Sequence, residues 1–289
     1  MHRWRAVLAL SLLAAAPPPV TTGFPDIQPV EPRDLARRML GAAIAARIDR
    51  HEVVPPPLQV EAAKERFSVA VPGHMPPNGY GLLVYISPFD TPDLPPGWGA
   101  TLDEFGMIGV SAANSGNRRG AFVRRAPLAL MAARGVMQQY RIDPARVVIA
   151  GFSGGSRVAL KLALAYPELF KGALLDAGTD LLGSADLPWP LPEQLAQARS
   201  MRFAILAGEN DSAKIMNVRA GDALRAAGFT EIYRREIEHV EHDAAPAKDF
   251  RNALLFLDKR AKAAPPLVSK DRGTARPATR RLSRALPTG

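Results

Sequence analysis

The sequence predicts an α/β fold in which a mostly parallel central sheet is covered by helices on both faces. Two features of the chain lead to this class: several short runs are almost wholly apolar, and helical patterns alternate with them. Strands that are apolar along their whole length are typical of parallel sheets buried on both faces. The chain has 289 residues, which is enough to bury one sizeable core.

The first expected element is an amphipathic helix over residues 31–51, with Leu35, Met39, Ala42 and Ala46 on one stripe. The prolines of "VVPPPL" then end regular structure. Apolar strand patterns follow at residues 65–72, 79–87, 106–114, 146–152, 170–178, 201–210 and 231–239. Helical patterns alternate with the later strands, at residues 124–140, 156–166, 213–228 and 244–261.

Two proline-rich segments interrupt this alternation, at residues 87–99 and 181–195. Both are expected to be surface insertions. They carry Trp98 and Trp189, and we expect the choice of substrate to depend on them.

The two ends of the chain differ in composition from its middle. Residues 1–23 combine a basic start with an apolar run that is too short to span a bilayer, a pattern typical of a secretory signal peptide. Ala14 and Ala16 offer a cleavage site, but Pro17 directly after Ala16 is unfavourable there, so cleavage nearer Gly23 is the alternative. Export to the periplasm or the cell exterior is therefore expected, with no transmembrane anchor. The rest of the chain divides into three parts. Residues 24–60 form an N-terminal helix and a proline-rich linker, and residues 61–262 form one α/β domain. Residues 263–289 form a basic, disordered tail.

The net charge of +9 is concentrated at the ends of the chain. Residues 261–289 hold seven basic side chains against Asp271, and Arg3 and Arg5 add two more charges, so the body of the chain is nearly neutral. No nucleic-acid partner is therefore expected. The chain has no cysteine, which excludes disulfides, a thiol nucleophile and cysteine-ligated zinc.

A glycine–x–serine–x–glycine pattern, residues 151–155, lies between the apolar run "RVVIA" and a helical pattern. This strand–turn–helix setting is the one that presents a nucleophilic serine, here Ser153. Flanking side chains would clash in so sharp a turn, which accounts for Gly151 and Gly155. The alternative is a glycine turn without a catalytic role, which only lets the strand and the helix pack closely.

A serine hydroxyl needs a base, and the histidine of such a site follows the last strand. The segment "REIEHVEHDAAP" offers His239 and His242, of which His242 is favoured because it lies in the loop before the last helix. A metal site here is disfavoured, because the spacing His–Val–Glu–His does not place two ligands on one helical face. No metal and no cofactor are expected.

The imidazole also needs an orienting carboxylate. Asp211 is favoured because it ends the strand pattern "MRFAILAGEN" just before a helix. The competing acids are Asp176, Asp180 and Glu209, with Asp176 the best of the three, and Asp211 could also merely cap its helix.

Two backbone N–H groups are expected to form an oxyanion hole, the pocket that stabilises negative charge on a reacting carbonyl oxygen. Gly154 supplies the first donor. The second is expected from Phe89, with Ser87 as the alternative, since Pro88 has no N–H.

Together these residues resemble the α/β-hydrolase superfamily, and within it the secreted esterases similar to polyhydroxybutyrate depolymerases and feruloyl esterases. The resemblance extends from Phe67 to Lys259 through motifs such as "RVVIAGFSGGSRVAL", "AGEND" and "EHDAAPAKDF". It implies a triad of Ser153, Asp211 and His242. Many members have a His–Gly pair where this chain has "SP" at residues 87–88.

The expected function is that of a serine hydrolase that cleaves a small or polymeric carboxylic ester through an acyl-enzyme on Ser153. A peptidase of the same fold is the nearest alternative, and the absence of a large preceding domain disfavours it. A non-catalytic binding protein with this fold is the alternative from another class.

Overall fold

The computed structural model describes residues 18–258. The signal segment predicted at the start of the chain lies mostly outside this range, as does the basic tail predicted at its end. No helix within the described range is long and apolar enough to cross a membrane.

A single eight-stranded sheet forms the centre of the fold, with strand order β1-β2-β4-β3-β5-β6-β7-β8. The pairs β1–β2 and β2–β4 are antiparallel, and all the others are parallel. The strands are β1 Val20–Thr22, β2 Phe67–Ala70, β3 Tyr80–Ile86, β4 Met107–Ala112, β5 Ile142–Phe152, β6 Gly172–Asp176, β7 Arg202–Gly208 and β8 Ile232–Ile237.

Helices cover both faces of this sheet, which confirms the predicted fold class. The helices are α1 Pro32–Met39, α2 Gly41–Asp49, α3 Trp98–Glu104, α4 Ala126–Gln139, α5 Gly154–Ala165, α6 Pro192–Ala198, α7 Lys214–Ala226 and α8 Ala247–Leu257, with a π-helical turn, Ala121–Arg125, before α4. Alternate strand residues point into two separate cores. One core lies under α1, α4 and α5, and the other lies under α3 and α8.

The predicted helix over residues 31–51 is two helices in the structure. Gly41 adopts a positive φ of 80°, and a side chain there would overlap Pro188, so the chain turns at this point. Leu35 and Met39 are buried as predicted, whereas Ala42 and Ala46 are exposed. The stripe therefore does not continue past Met39, and α2 instead buries Ala45 and Ile48.

The segment before α1 belongs to the same core. β1 pairs with β2, and Phe24 packs on Phe67 with ring centroids 4.9 Å apart. Ile27 and Val30 are also buried in this core. Residues 20–30 are therefore held by the sheet and by the helices above it.

The proline-rich segment around Trp98 is not a surface insertion at this residue, which corrects the prediction. Trp98 is fully buried at the start of α3, and its ring stacks on Phe250 with centroids 3.9 Å apart. Its indole N–H donates to the carbonyl of Ala245 at 2.9 Å. Trp98 thus joins α3 to α8 and cannot select a substrate, while Trp189 is half exposed.

Candidate active site

The turn between β5 and α5 places Ser153 in a rarely populated backbone conformation. Its φ is 54° and its ψ is −123°, and it directly precedes the first residue of α5. Such strain persists only where surrounding contacts hold it. One of these contacts is the Ser153 N–H, which donates to the carbonyl of Asp176 at 2.8 Å.

The two glycines of the pattern are required by close backbone approach. A side chain at Gly155 would overlap the carbonyl of Ile86, at the end of β3. A side chain at Gly151 would overlap the backbone of Gly155 itself. β3, β5 and α5 can therefore meet this closely only with hydrogen in place of a side chain at both positions.

The structure brings together the three side chains that the sequence singled out. Ser153 Oγ lies 2.9 Å from Nε2 of His242, and Nδ1 of His242 lies 3.0 Å from Oδ1 of Asp211. The Asp211 side chain is fully buried, whereas that of His242 is 47% exposed. In the tautomer that satisfies both contacts, Nδ1–H donates to the carboxylate and Nε2 accepts from the serine hydroxyl.

Two loops position these partners. Asp211 follows β7, and its Oδ1 also accepts the N–H of Ala213 at 2.7 Å, so the carboxylate caps the turn before α7 as well. The loop that carries His242 passes close over the end of β7, where a side chain at Gly208 would overlap the carbonyl of Val240. The proposed orienting role and the helix-capping alternative for Asp211 therefore coexist in one side chain.

His239, the other candidate histidine, lies away from the serine. Its φ is 59°, its ring is 93% exposed, and its N–H donates to Oε2 of Glu209 at 3.0 Å. Among residues 18–258, no group of three His, Asp or Glu side chains converges as a metal site would require.

The acids that compete with Asp211 have other partners. Asp176 is buried, and its Oδ2 accepts the N–H of Ala245 at 2.7 Å. Burial raises the pKa of Asp176 to about 8, and the nearby charge of Asp211 adds to the rise. Asp180 pairs with Lys161 at 3.0 Å, and Glu209 accepts the His239 N–H described above.

The two predicted oxyanion donors differ in their surroundings. The N–H of Gly154 is the first of α5, where no carbonyl of the preceding turn is available to accept it. The N–H of Phe89 donates to Oγ of Ser87 at 3.1 Å, within its own loop. A second donor at Phe89 would therefore have to share or exchange this bond when a carbonyl oxygen arrives.

Two polar side chains that could not be singled out from the sequence also contact this turn. The carboxamide of Asn117 packs against Gly154 and would overlap any side chain there. Arg125 is buried and donates to the carbonyl of Gly154 at 3.2 Å. The only sequence signal for Arg125 is a charged residue directly before an apolar helical run.

The order of the elements defines the class of fold. A serine turn after β5, an acid after β7 and a histidine before the last helix, on a sheet with an antiparallel β2, constitute the α/β-hydrolase fold. The resemblance in the sequence is confirmed at this level.

Solved structures with this fold resemble the chain at low sequence identity. An S-formylglutathione hydrolase from Staphylococcus aureus has a TM-score of 0.56 at 13% identity, over 67% of this chain and 92% of that one. A ferulic acid esterase has a TM-score of 0.51 at 16% identity, over 69% and 95% of the two chains. A thermostable carboxylesterase cloned from a metagenomic library has a TM-score of 0.51 at 14% identity, over 82% of this chain and 99% of that one. No protein-family profile and no curated protein sequence matches the chain.

Proposed function

We propose that this protein is a serine hydrolase that cleaves carboxylic esters. The observation that carries the proposal is the continuous chain of contacts from Ser153 through His242 to Asp211, with distances of 2.9 and 3.0 Å. The S-formylglutathione hydrolase, the ferulic acid esterase and the carboxylesterase with the same fold support an ester as the substrate class.

The geometry suits two-step acyl transfer. His242 would take the proton of Ser153 as the hydroxyl oxygen attacks the ester carbonyl, and Asp211 would stabilise the imidazolium that forms. The same proton would then pass to the leaving alcohol, so that an acyl–serine remains. Water, deprotonated by His242, would attack this acyl group and release the acid and the free serine.

Two side chains at the proposed site are open to solvent. The His242 side chain is half exposed, and the Phe89 side chain is 64% exposed beside the proposed oxyanion hole. The exposed apolar ring of Phe89 favours esters with an apolar acyl or aryl group.

The direct test combines a fluorophosphonate probe with hydrolysis of p-nitrophenyl butyrate. We expect labelling of Ser153 in the wild type and loss of both labelling and turnover in Ser153→Ala. His242→Ala should lose about 10³-fold or more in kcat, because the serine would lack its base. His239→Ala is the matched control, since its exposed ring lies outside the contact chain, and it should keep wild-type turnover.

The alternatives are outcomes of the same assay. Faster turnover of an aminoacyl amide than of the matching ester would favour a peptidase. Tight binding of ester analogues without labelling or turnover would favour a non-catalytic binding protein. Wild-type turnover by Ser153→Ala would remove the hydrolase proposal altogether.

We also propose that the protein is exported, to the periplasm or the cell exterior. Cleavage near Gly23 would remove β1, whereas cleavage after Ala16 would retain it and its pairing with β2. The N-terminus of the exported form therefore decides whether β1 belongs to the mature protein. Expression in a bacterial host, fractionation and N-terminal sequencing of the exported form would test this, and a cytoplasmic, full-length product would contradict it.

A further inference from the structure

We propose that Arg125 is a positioning residue of the oxyanion hole, which fixes the loop after β3 against the serine turn and places a buried positive charge beneath both. The proposal rests on the hydrolase function above and adds to it a residue outside the contact chain of Ser153, His242 and Asp211.

The guanidinium of Arg125 joins three segments that end at the same edge of the sheet. Nε donates to the carbonyl of Ser115 at 2.7 Å, Nη1 to that of Gly154 at 3.2 Å, and Nη2 to that of Ser87 at 3.1 Å. These carbonyls follow β4, β5 and β3 respectively. Gly154 is itself one proposed oxyanion donor, and Ser87 lies two residues before the other, Phe89. One planar group therefore sets the spacing between the two donors.

The acceptors are carbonyls, and in the part of the chain that the structure describes no carboxylate forms an ion pair with Arg125. Arg125 is only 4% exposed. The acid whose charge acts on Arg125 is Asp90, which is already paired with Arg119 at 2.9 Å. Carbonyl dipoles satisfy the N–H groups but carry no net charge, so the positive charge of Arg125 stays uncompensated by its direct partners.

The neighbouring residue shows what an ordinary structural arginine looks like in this turn. Arg124 forms a two-pronged ion pair with Glu65, at 3.1 and 2.9 Å. Both arginines lie in the π-helical turn Ala121–Arg125, and the backbone N–H groups of both donate to the carbonyl of Gly120. A π-turn inserts an extra residue into a helix and is frequent at functional sites. Here it directs one arginine to a carboxylate and the next to the serine turn.

Burial lowers the pKa of Arg125 to about 10, so the group is still charged at neutral pH. When a carbonyl oxygen becomes negative at the proposed hole, the cation would already be in place and would need no rearrangement. Its effect should therefore appear in the transition state and not in binding of the uncharged ester.

The test compares Arg125→Met and Arg125→Lys with Arg124→Met, which removes an ion pair from the same turn and serves as the control for loss of folding. Urea unfolding gives the folded fraction of each variant. For the folded fraction, kcat and KM are measured with p-nitrophenyl butyrate. Affinity is measured for an alkyl trifluoromethyl ketone, which forms a tetrahedral oxyanion on the serine, and for the matching methyl ketone, which binds as a neutral carbonyl.

We expect Arg125→Met to lower kcat about 100-fold, the size found when one oxyanion donor is removed, with KM within about threefold. Affinity for the trifluoromethyl ketone should fall by a similar factor, while affinity for the methyl ketone should not change. Arg125→Lys keeps the charge but not the planar three-way contact, so we expect it to lose about 10-fold and to provide the measurement if Arg125→Met does not fold. Arg124→Met should keep the wild-type kcat per folded molecule.

Two results would overturn the proposal. If Arg125→Met has the same kcat as Arg124→Met, Arg125 has only a structural role and the hydrolase function stays intact. If Arg125→Met does not fold, the same comparison is made with Arg125→Lys. A loss of kcat without loss of trifluoromethyl ketone affinity would place its effect elsewhere. A wild type that neither labels with fluorophosphonate nor binds the trifluoromethyl ketone would instead remove the hydrolase function, and this proposal with it.

Discussion

Replacing Asp176 with asparagine should flatten the pH dependence of stability. The wild-type carboxyl is buried at the end of β6, with a pKa of about 8 against an ordinary value of 3.8, mainly because burial disfavours its charge. Asparagine keeps an oxygen to accept the N–H of Ala245 but cannot ionise. Asp176→Asn therefore isolates the effect of the proton from the effect of the contact.

The direction and size of the effect follow from linkage. Between the two pKa values the folded state holds a proton that the unfolded state has lost, so folding stability falls as pH rises. Each pH unit in this window costs about 1.4 kcal/mol. Over the full window of roughly 4 units the cost of ionisable Asp176 approaches about 6 kcal/mol, and between about pH 5 and pH 8 it changes by about 3 to 4 kcal/mol. Below about pH 4 both states are protonated and no cost remains.

The assay is urea unfolding of both proteins, monitored by circular dichroism at intervals from pH 5 to pH 8. All other titrating groups are shared, so the difference in unfolding free energy between the variant and the wild type reports Asp176. We expect Asp176→Asn to gain stability relative to the wild type as pH rises. A constant difference across this range would refute the reasoning, because it would mean that Asp176 is ionised in the folded protein throughout.

The same variant separates the two candidate acids. At neutral pH the wild-type Asp176 is mainly protonated, so Asp176→Asn should keep ester turnover within about threefold, a change of less than 1 kcal/mol in the barrier. Asp211→Asn should lose about 10⁴-fold, because the amide would favour the wrong tautomer of His242. The reverse pattern would assign the orienting role to Asp176.

Three further changes test the packing of the fold and of the site. Gly155→Ala should destabilise the fold by about 1 to 3 kcal/mol and reduce activity, because its methyl group would overlap the Ile86 carbonyl; an unchanged urea midpoint would contradict this. Arg146→Met should lower the free energy of unfolding in urea by about 3 to 5 kcal/mol, because it removes the buried partner that lies 2.6 Å from Asp258. A loss below about 1 kcal/mol would show that the pair is not buried in solution. Phe89→Ala should leave the melting temperature unchanged but raise KM for apolar esters about fivefold, through the loss of about 1 kcal/mol of apolar contact; an unchanged KM would place the acyl group elsewhere.

The central strands could be predicted from the sequence because each is apolar along its length. The edge strand β1 could not, since it has three residues, is largely exposed and owes its conformation to pairing with β2. The break between α1 and α2 was also missed. The helical pattern continues through Gly41, and only the approach of Pro188, far along the chain, forces the turn.

Trp98 shows the same limit within the second core. A proline-rich segment is typical of a surface loop, and α3 is too short to give a clear helical period. The contacts that bury Trp98 come from Ala245 and Phe250, which are distant in sequence. Nothing local to residues 87–99 indicates these partners.

The candidate site was more predictable than its surroundings. Ser153, Asp211 and His242 each lie where a recognisable strand ends, and parallel strands bring their carboxyl ends to one edge of the sheet. Arg125 follows no such rule. The π-turn determines which of the two adjacent arginines points inward. The sequence shows two arginines in a row and does not indicate which one is buried.

Two buried charges reach the serine turn through different partners. Asp211 lies behind His242, where the imidazolium would form, and Arg125 lies behind Gly154, where the oxyanion would form. Proton transfer from Ser153 to His242 would therefore be favoured by a fixed anion beside the histidine and a fixed cation beside the proposed oxyanion hole. Because Asp176 is mainly protonated at neutral pH, it adds little negative charge to the histidine side. A neutral Asp176 leaves Asp211 as the carboxylate that acts on His242, which is the arrangement that favours the proposed proton transfer.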